Sequence, residues 1–456
     1  MKNIFRKILV ISVLLVAVGC SSIITKDEFY KPLIYDLKYS DYKNAAVKIS
    51  DSSFVKNYDK KDLLLYHLDK GIIYHYAGQY ELSNLSFDKA EDLIDELYTK
   101  SISKGAMSIL LNDNALDYCG EVYENLYLNI FKTLNYIHLK KYDEAYIECK
   151  KVNEKLSELD NKYGEYTNAL ISSGESKIKI NPRELDYYNN VLANYLSYLI
   201  FNSEGETDNA RISKENLLKA WETHSDVYNY NMPEFIDDSL NERSSKVVII
   251  AFLGNAPVKQ AVGARITTFD DFIMISDPTN FHADAIPFPG SKIGYNFKFE
   301  FPQLIEEGSE VKEVKVYVDS VYYGKLHLLE NMANVARKTF ESNKSVIFFK
   351  TIIRAVSKGI GANALADKLK KGSNEFLGDI ISLLTNAAVD ATEHADLRSW
   401  KTMPAYCLVS EVKLPKGNHN IRIEFVNSKY EVIRIAEYKN FSVGAGLNLI
   451  EDYLLN

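Results

Sequence analysis

Six positions in the N-terminal half recur 62 residues further on: Gly71, Tyr74, Tyr80, Ser83, Phe87 and Ala90 return as Thr133, Tyr136, Tyr142, Ala145, Cys149 and Val152. A partial copy stands earlier at Tyr42, Ala45 and Ile49, and a degenerate one later around Ala210 and Leu217. Residues 27 to about 225 carry a helical period of apolar positions and few strand signals. The two good copies describe helical hairpins. A small residue at 71 or 133 lets two helices approach, and small residues at 83 and 145 do the same from the second helix. The aromatic at 74 or 136 fills the space between them, and Phe87 or Cys149 closes the next layer. The segments Ala77-Gly78-Gln79-Tyr80 and Leu139-Lys140-Lys141-Tyr142 are short and polar enough to reverse the chain.

This spacing of small and aromatic positions resembles the tetratricopeptide repeat (TPR), with departures. No Trp stands at the expected place, there is no closing Pro, and the spacing is 62 residues instead of about 34. Roughly thirty residues, 91–123, are inserted between the good units. The resemblance implies stacked hairpins with a concave face lined by the first helices. Carried over, the groove positions are Leu65, Leu68, Ile72, His75 and Tyr76, then Tyr127, Ile130, Leu134, Ile137 and His138. It implies that His75, Tyr76, Tyr127 and His138 read a peptide or an extended partner segment. The set is very apolar for an open groove, so packing against the insertion or against the rest of the chain is an equal alternative. Within the insertion, the polar stretch Asn112 to Glu124 offers Asn114 or Asp117 as a helix cap, with acidic residues in the first turn. A binding loop at the groove end is the other reading.

At the N-terminus, Lys2, Arg6 and Lys7 precede an uninterrupted apolar run, Ile8 to Val18, followed by Gly19 and Cys20. That is the layout of an export signal. The run rises only about 16 Å as a helix, half of a bilayer core. Ala17-Val18-Gly19-Cys20 resembles a lipobox, although Ala17 stands where Leu is favoured. The resemblance implies a signal peptide over 1–19, acylation (diacylglyceryl and palmitate-type chains) at Cys20, and a short tether over 20–26. Acyl chains contribute roughly 0.8 kcal/mol per buried CH₂, which suits them to hold the protein at a membrane. Ser21 and Ser22 follow with no Asp, which implies an outer-membrane lipoprotein facing the periplasm.

The chain carries a net charge of −8 and no concentrated basic stripe, which argues against a nucleic-acid partner. No Cys/His spacing resembles a zinc site, and no cofactor is expected. Cys119 and Cys149 lie too far apart along an antiparallel helix pair to form a disulfide. Cys149 and Cys407 read as small packing residues.

Pro233 and the polar stretch Asp237 to Lys246 mark a boundary. The expected architecture is multidomain: an all-α TPR-like domain over 27–228, a linker over 229–245, and a mixed α+β domain over 246–456. In the last, Val247 to Phe252 is a compact apolar strand, and the segments at 295–301, 314–318 and 421–425 alternate with strand period. Val346, Phe349, Ile353, Val356 and Ile360, then Leu377, Ile381, Leu384 and Ala388, give a helical insert with apolar faces. Val316-Tyr317-Val318-Asp319 and Leu414-Pro415-Lys416-Gly417 resemble the turn-and-strand elements of PEGA-type and Ig-like surface modules, which implies β-sandwich-like strands. The cluster Asp396, Arg398 and Trp400 reads as a structural staple or as a partner-binding site.

With this cluster in place, the chain as a whole resembles a family of bacterial TPR-type lipoproteins. That resemblance implies location and architecture and no reaction. In plan it is similar to outer-membrane lipoproteins that activate cell-wall synthases. The function expected is therefore a membrane-anchored scaffold or adaptor with a protein or peptide partner in the envelope. The alternative is an envelope hydrolase or transferase with a site in the C-terminal half. Gly359, Gly361 and Ala364 spell a dinucleotide-like string, but the residues before them carry a helical period where a strand is required. His394 near Asp396 is a candidate activator for Cys407, yet Cys407 sits in an apolar strand context where thiols are inert.

Overall fold

The computed structural model describes residues 28–104, 116–172, 189–238, 245–270, 272–277, 282–287, 296–342 and 395–455. The leader and Cys20, the segment from Asn112 to Asn114, the helical insert over 346–388 and His394 lie outside the described residues.

Four reversals organise the helical half, and each uses one residue with positive φ: Ser40 (58°), Gly78 (72°), Lys140 (55°) and Gly205 (78°). At each reversal the next amide donates back across the turn to close the preceding helix. The bonds are Asp41 to the Asp36 carbonyl, Gln79 to Tyr74, Lys141 to Tyr136 and Glu206 to Phe201, at 2.8, 2.8, 2.8 and 2.9 Å. These are Schellman closures, which satisfy carbonyls that a helix end otherwise leaves unpaired. They join α1 (Lys31–Lys38) to α2 (Tyr42–Ser50), α3 (Leu63–Tyr76) to α4 (Tyr80–Lys104), α5 (Val122–His138) to α6 (Tyr142–Ser172), and α7 (Val191–Glu204) to α8 (Thr207–Thr223).

The second helix always begins two residues after the left-handed one. Three residues further in, Ala45, Ser83, Ala145 and Ala210 are all buried at the close approach to the partner helix. The hairpin spacing thus extends to the two weaker copies. Successive hairpins stack, with α2 on α3, α4 on α5 and α6 on α7. Gly71 shows why its position must stay small: a Cβ there would stand 2.5 Å from the Phe87 ring.

The C-terminal half contains three four-stranded sheets among the described residues. The first, in the order β12-β1-β9-β8, has β1 (Lys246–Leu253) parallel to β12 (Asn448–Leu454) and antiparallel to β9 (Tyr406–Lys413), with β8 (His327–Asn331) outermost. The second is β11 (Val432–Val443), β10 (Gly417–Asn427), β6 (Val311–Val318) and β7 (Val321–Lys325). The third is β4 (His282–Pro287), β3 (Phe272–Asp277), β2 (Val258–Phe269) and β5 (Asn296–Ile305).

β1 has no polar face because it has no solvent face. Val248, Ile250 and Phe252 belong to the core shared with the helices. Val247, Ile249, Ala251 and Leu253 belong to a second core with Val314, Val316, Ile421, Ile423 and Phe425 of the second sheet. Two sheets therefore pack face to face, and the helices cover the outer face of the first. The halves expected as successive domains share one hydrophobic core. Part of the expected linker belongs to it as well: Ile236 is buried in that core, and Tyr230, Met232 and Phe235 pack against it.

The two turn-and-strand motifs of the sequence meet in the second sheet. Asp319 and Ser320 both take positive φ (47° and 70°) in the tight turn between β6 and β7, the geometry that matches strand twist. Asp319 then accepts the Asn420 amide at 2.9 Å and pairs with His419 at 2.9 Å.

Candidate functional site

The residues singled out from sequence converge on one place, the seam between the helices and the first sheet. It is built around acidic side chains set into otherwise apolar elements.

Glu330, on β8, is fully buried. Its carboxylate accepts from the Tyr127 hydroxyl at 2.8 Å, the Asn190 amide at 2.9 Å and the Leu192 backbone N–H at 3.3 Å. Leu192 lies in the first turn of α7, where helix N–H groups lack intrahelical partners and favour an anion. Burial still dominates and pushes the Glu330 carboxyl up to about 7. Glu124 of α5 is similar. It accepts from the Trp400 amide at 2.6 Å, the Tyr118 hydroxyl at 2.7 Å and the Glu121 amide at 2.9 Å. Burial, reinforced by the Glu121 charge, raises it to about 7. Asp69 of α3 accepts from Tyr30, Tyr58 and Thr402 at 2.7, 2.8 and 2.6 Å, and burial raises it to about 6.

Glu451 of β12 behaves oppositely. His75 and His138 contact its two oxygens at 2.9 and 2.6 Å. Burial opposes ionisation, but the two imidazoles outweigh it and hold the carboxyl well below the ordinary range. His75 is fixed on its other side by Asn135 at 2.7 Å. His138 stacks on Tyr80 with centroids 4.3 Å apart and is the less deeply buried end of the cluster.

Arg398 forks onto Asp396 through Nε and Nη2 at 2.9 and 2.7 Å. Its Nη1 reaches Asp62 at 2.9 Å and the Leu116 carbonyl at 3.0 Å. Trp400 is buried edge-on to Phe87 and Phe131. Tyr76 donates to the Thr402 carbonyl at 3.1 Å.

Of the two readings of His75, Tyr76, Tyr127 and His138, the contacts are those of packing against the rest of the chain, and the open groove is not what they form. These helices pack on the first sheet of the same chain, because their apolar side chains find there a surface that excludes water. Asp396, Arg398 and Trp400 likewise join the C-terminal half to the helices, as the structural-staple reading has it. Cys407 faces this core; burial raises its thiol well above the ordinary value and keeps it protonated.

Sequence reasoning missed Asp69, Glu330 and Glu451, and read Glu124 only as a first-turn acid. One signal was available: each of the three is a lone or paired acid inside an apolar run, as in LLLYHLDKGIIYHY, HLLEN and NLIEDYL. Chemically, carboxyls near neutrality suit proton transfer. Here, however, their oxygens already accept bonds from the chain's own donors. No protein-family model, curated protein or solved structure matches the chain.

Proposed function

We propose that this protein is a lipid-anchored adaptor of the bacterial cell envelope, acylated at Cys20 and facing the periplasm. In this reading its TPR-like hairpins hold the chain's own C-terminal half in the groove, and an envelope protein binds elsewhere on the surface. One observation carries the proposal. The polar groups that converge between the halves serve to join them, while apolar side chains remain exposed on the second sheet, among them Tyr322, Val321, Ile433 and Ile435. Val321 and Tyr322 sit on one edge strand and Ile433 and Ile435 on the other, and in this reading a cluster of exposed apolar residues at such an edge is where a partner associates.

The test combines mass spectrometry of the purified protein with photo-crosslinking in intact cells. Acyl mass on residue 20, and trapped partners from a crosslinker at Tyr322 or Ile435 but not at Tyr127, are expected. A bare residue 20 overturns the anchoring. Partners trapped through Tyr127 instead would return the groove to the binding role.

A further inference from the structure

The hairpin of α1 and α2 carries an exposed face of unusual make-up. Each helix buries one side, Leu33 and Leu37 from α1 and Ala45, Ala46 and Ile49 from α2. Facing outward are Tyr35, Tyr39 and Val47, which are 63%, 65% and 71% exposed. The two tyrosine rings lie side by side, with centroids 4.6 Å apart. Exposed lysines Lys31, Lys38 and Lys43 share these helices. Over residues 31–50 four lysines stand against two aspartates, in a chain whose net charge is −8. Asp36 is buried and neutralised by Lys48 at 2.6 Å, which leaves Asp41 as the exposed acid within the hairpin and Asp51 just after it.

The position of this face in the chain names its occupant. Seven residues separate Cys20 from Glu28, where the described structure begins. Even fully extended they reach about 28 Å. The start of α1 is not free to swing, because Phe29 and Tyr30 are wedged against Phe54 and Tyr58. A lipid on Cys20 therefore holds this hairpin beside the bilayer. Tyrosines with an apolar body and a polar tip, flanked by lysines, are the side chains that settle at the headgroup level of anionic membranes.

We infer that the outer face of α1 and α2 docks flat on an anionic lipid surface, with Tyr35 and Tyr39 at headgroup depth and Lys31, Lys38 and Lys43 on the lipid phosphates. The inference rests on acylation at Cys20 and adds an orientation to it.

The test uses full-length, processed protein in vesicles of phosphatidylglycerol and brominated phosphatidylcholine. Tyr35→Trp and Tyr39→Trp each add a tryptophan to a chain whose own two, Trp221 and Trp400, are buried. Loss of most of the added emission, with the wild-type signal unchanged, is the expected result. Lys31→Glu/Lys38→Glu/Lys43→Glu in the Tyr39→Trp background should restore that emission. Mass spectrometry of the same samples reads residue 20. Acylated protein with unquenched added tryptophans overturns the docking alone. A bare residue 20 overturns the anchor and the orientation together.

Discussion

His75 of α3 and Glu451 of β12 stand 376 positions apart in the chain and meet at 2.9 Å, each with its side chain almost wholly buried. His138, one hairpin further along, closes on the other oxygen of the same carboxylate. One acid on one strand thus holds two successive hairpins against the first sheet. Glu451→Ala removes the carboxylate from His138 Nε2 and from His75 Nε2, which keeps the Tyr453 hydroxyl at 3.0 Å. Removing one partner of a buried hydrogen bond leaves the other unsatisfied, which costs about 1–3 kcal/mol for each group. The expected result is a lower urea midpoint. Helical ellipticity and Trp400 fluorescence, read in a Trp221→Phe background, should still move together, because the halves share one core. Separate transitions for the two probes would contradict that shared core.

Glu330 sets a pH dependence with a definite sign. Unfolded, a glutamate releases its proton near pH 4.3; folded, this one keeps it to about 7. Between those values the unfolded chain binds fewer protons, so stability falls as pH rises through the window and levels off above 7. The loss is at most about 4 kcal/mol for this carboxyl. Glu124 contributes with the same sign. His67, lowered by burial to about 4, acts in the opposite direction between pH 4 and 6.5. Glu330→Gln should flatten the slope of unfolding free energy between pH 5 and 8. An unchanged slope would show that Glu330 does not titrate there.

The four hairpin turns predict a gain. Lys140 and Ser40 occupy the left-handed region that Gly78 and Gly205 occupy in the other two. A side chain there costs roughly 1–2 kcal/mol, partly offset by the greater unfolded entropy of glycine. Lys140→Gly and Ser40→Gly should each stabilise the protein by about 0.5–1 kcal/mol. Gly78→Ala should destabilise it. Chemical denaturation reads all three.

Gly71→Leu drives a side chain into the Phe87 ring. Overpacking of this kind costs about 1–3 kcal/mol or more. Phe87→Ala in the same chain should return part of the loss, giving a favourable coupling in a double-mutant cycle. Additive effects would place Gly71 and Phe87 in different layers.

The hairpins were legible because their determinants are local. Tyr80 and Ser83, or Tyr142 and Ala145, lie within one turn of each other and of the reversal they specify. The strand of β1 was legible for the same reason, as a short apolar run between polar flanks. The occupant of the groove was not. Its contacts join His75 to Glu451 and Tyr127 to Glu330 across hundreds of residues, and no periodicity records such pairs. What the sequence did show was a set very apolar for an open groove, which made packing against the rest of the chain an equal alternative. That property, taken with lone acids such as Asp69 in apolar helices, points to internal partners more than to a ligand.

β1 carries a further consequence. Most half-buried strands resist slippage because a shift by one residue would turn their polar side inward. β1 is apolar on both sides, so a slip would only trade the side chains facing the helices for those facing the second sheet. Its alignment must be fixed from the ends. Lys246 does this at one end by pairing with Glu411 at 2.7 Å. Gly254 does it at the other, where φ is +62° and any Cβ would stand 2.5 Å from the Gly308 carbonyl oxygen. An ion pair at one tip of this strand and a close backbone approach at the other therefore act as its ruler, and substitutions there should yield misaligned but still compact molecules.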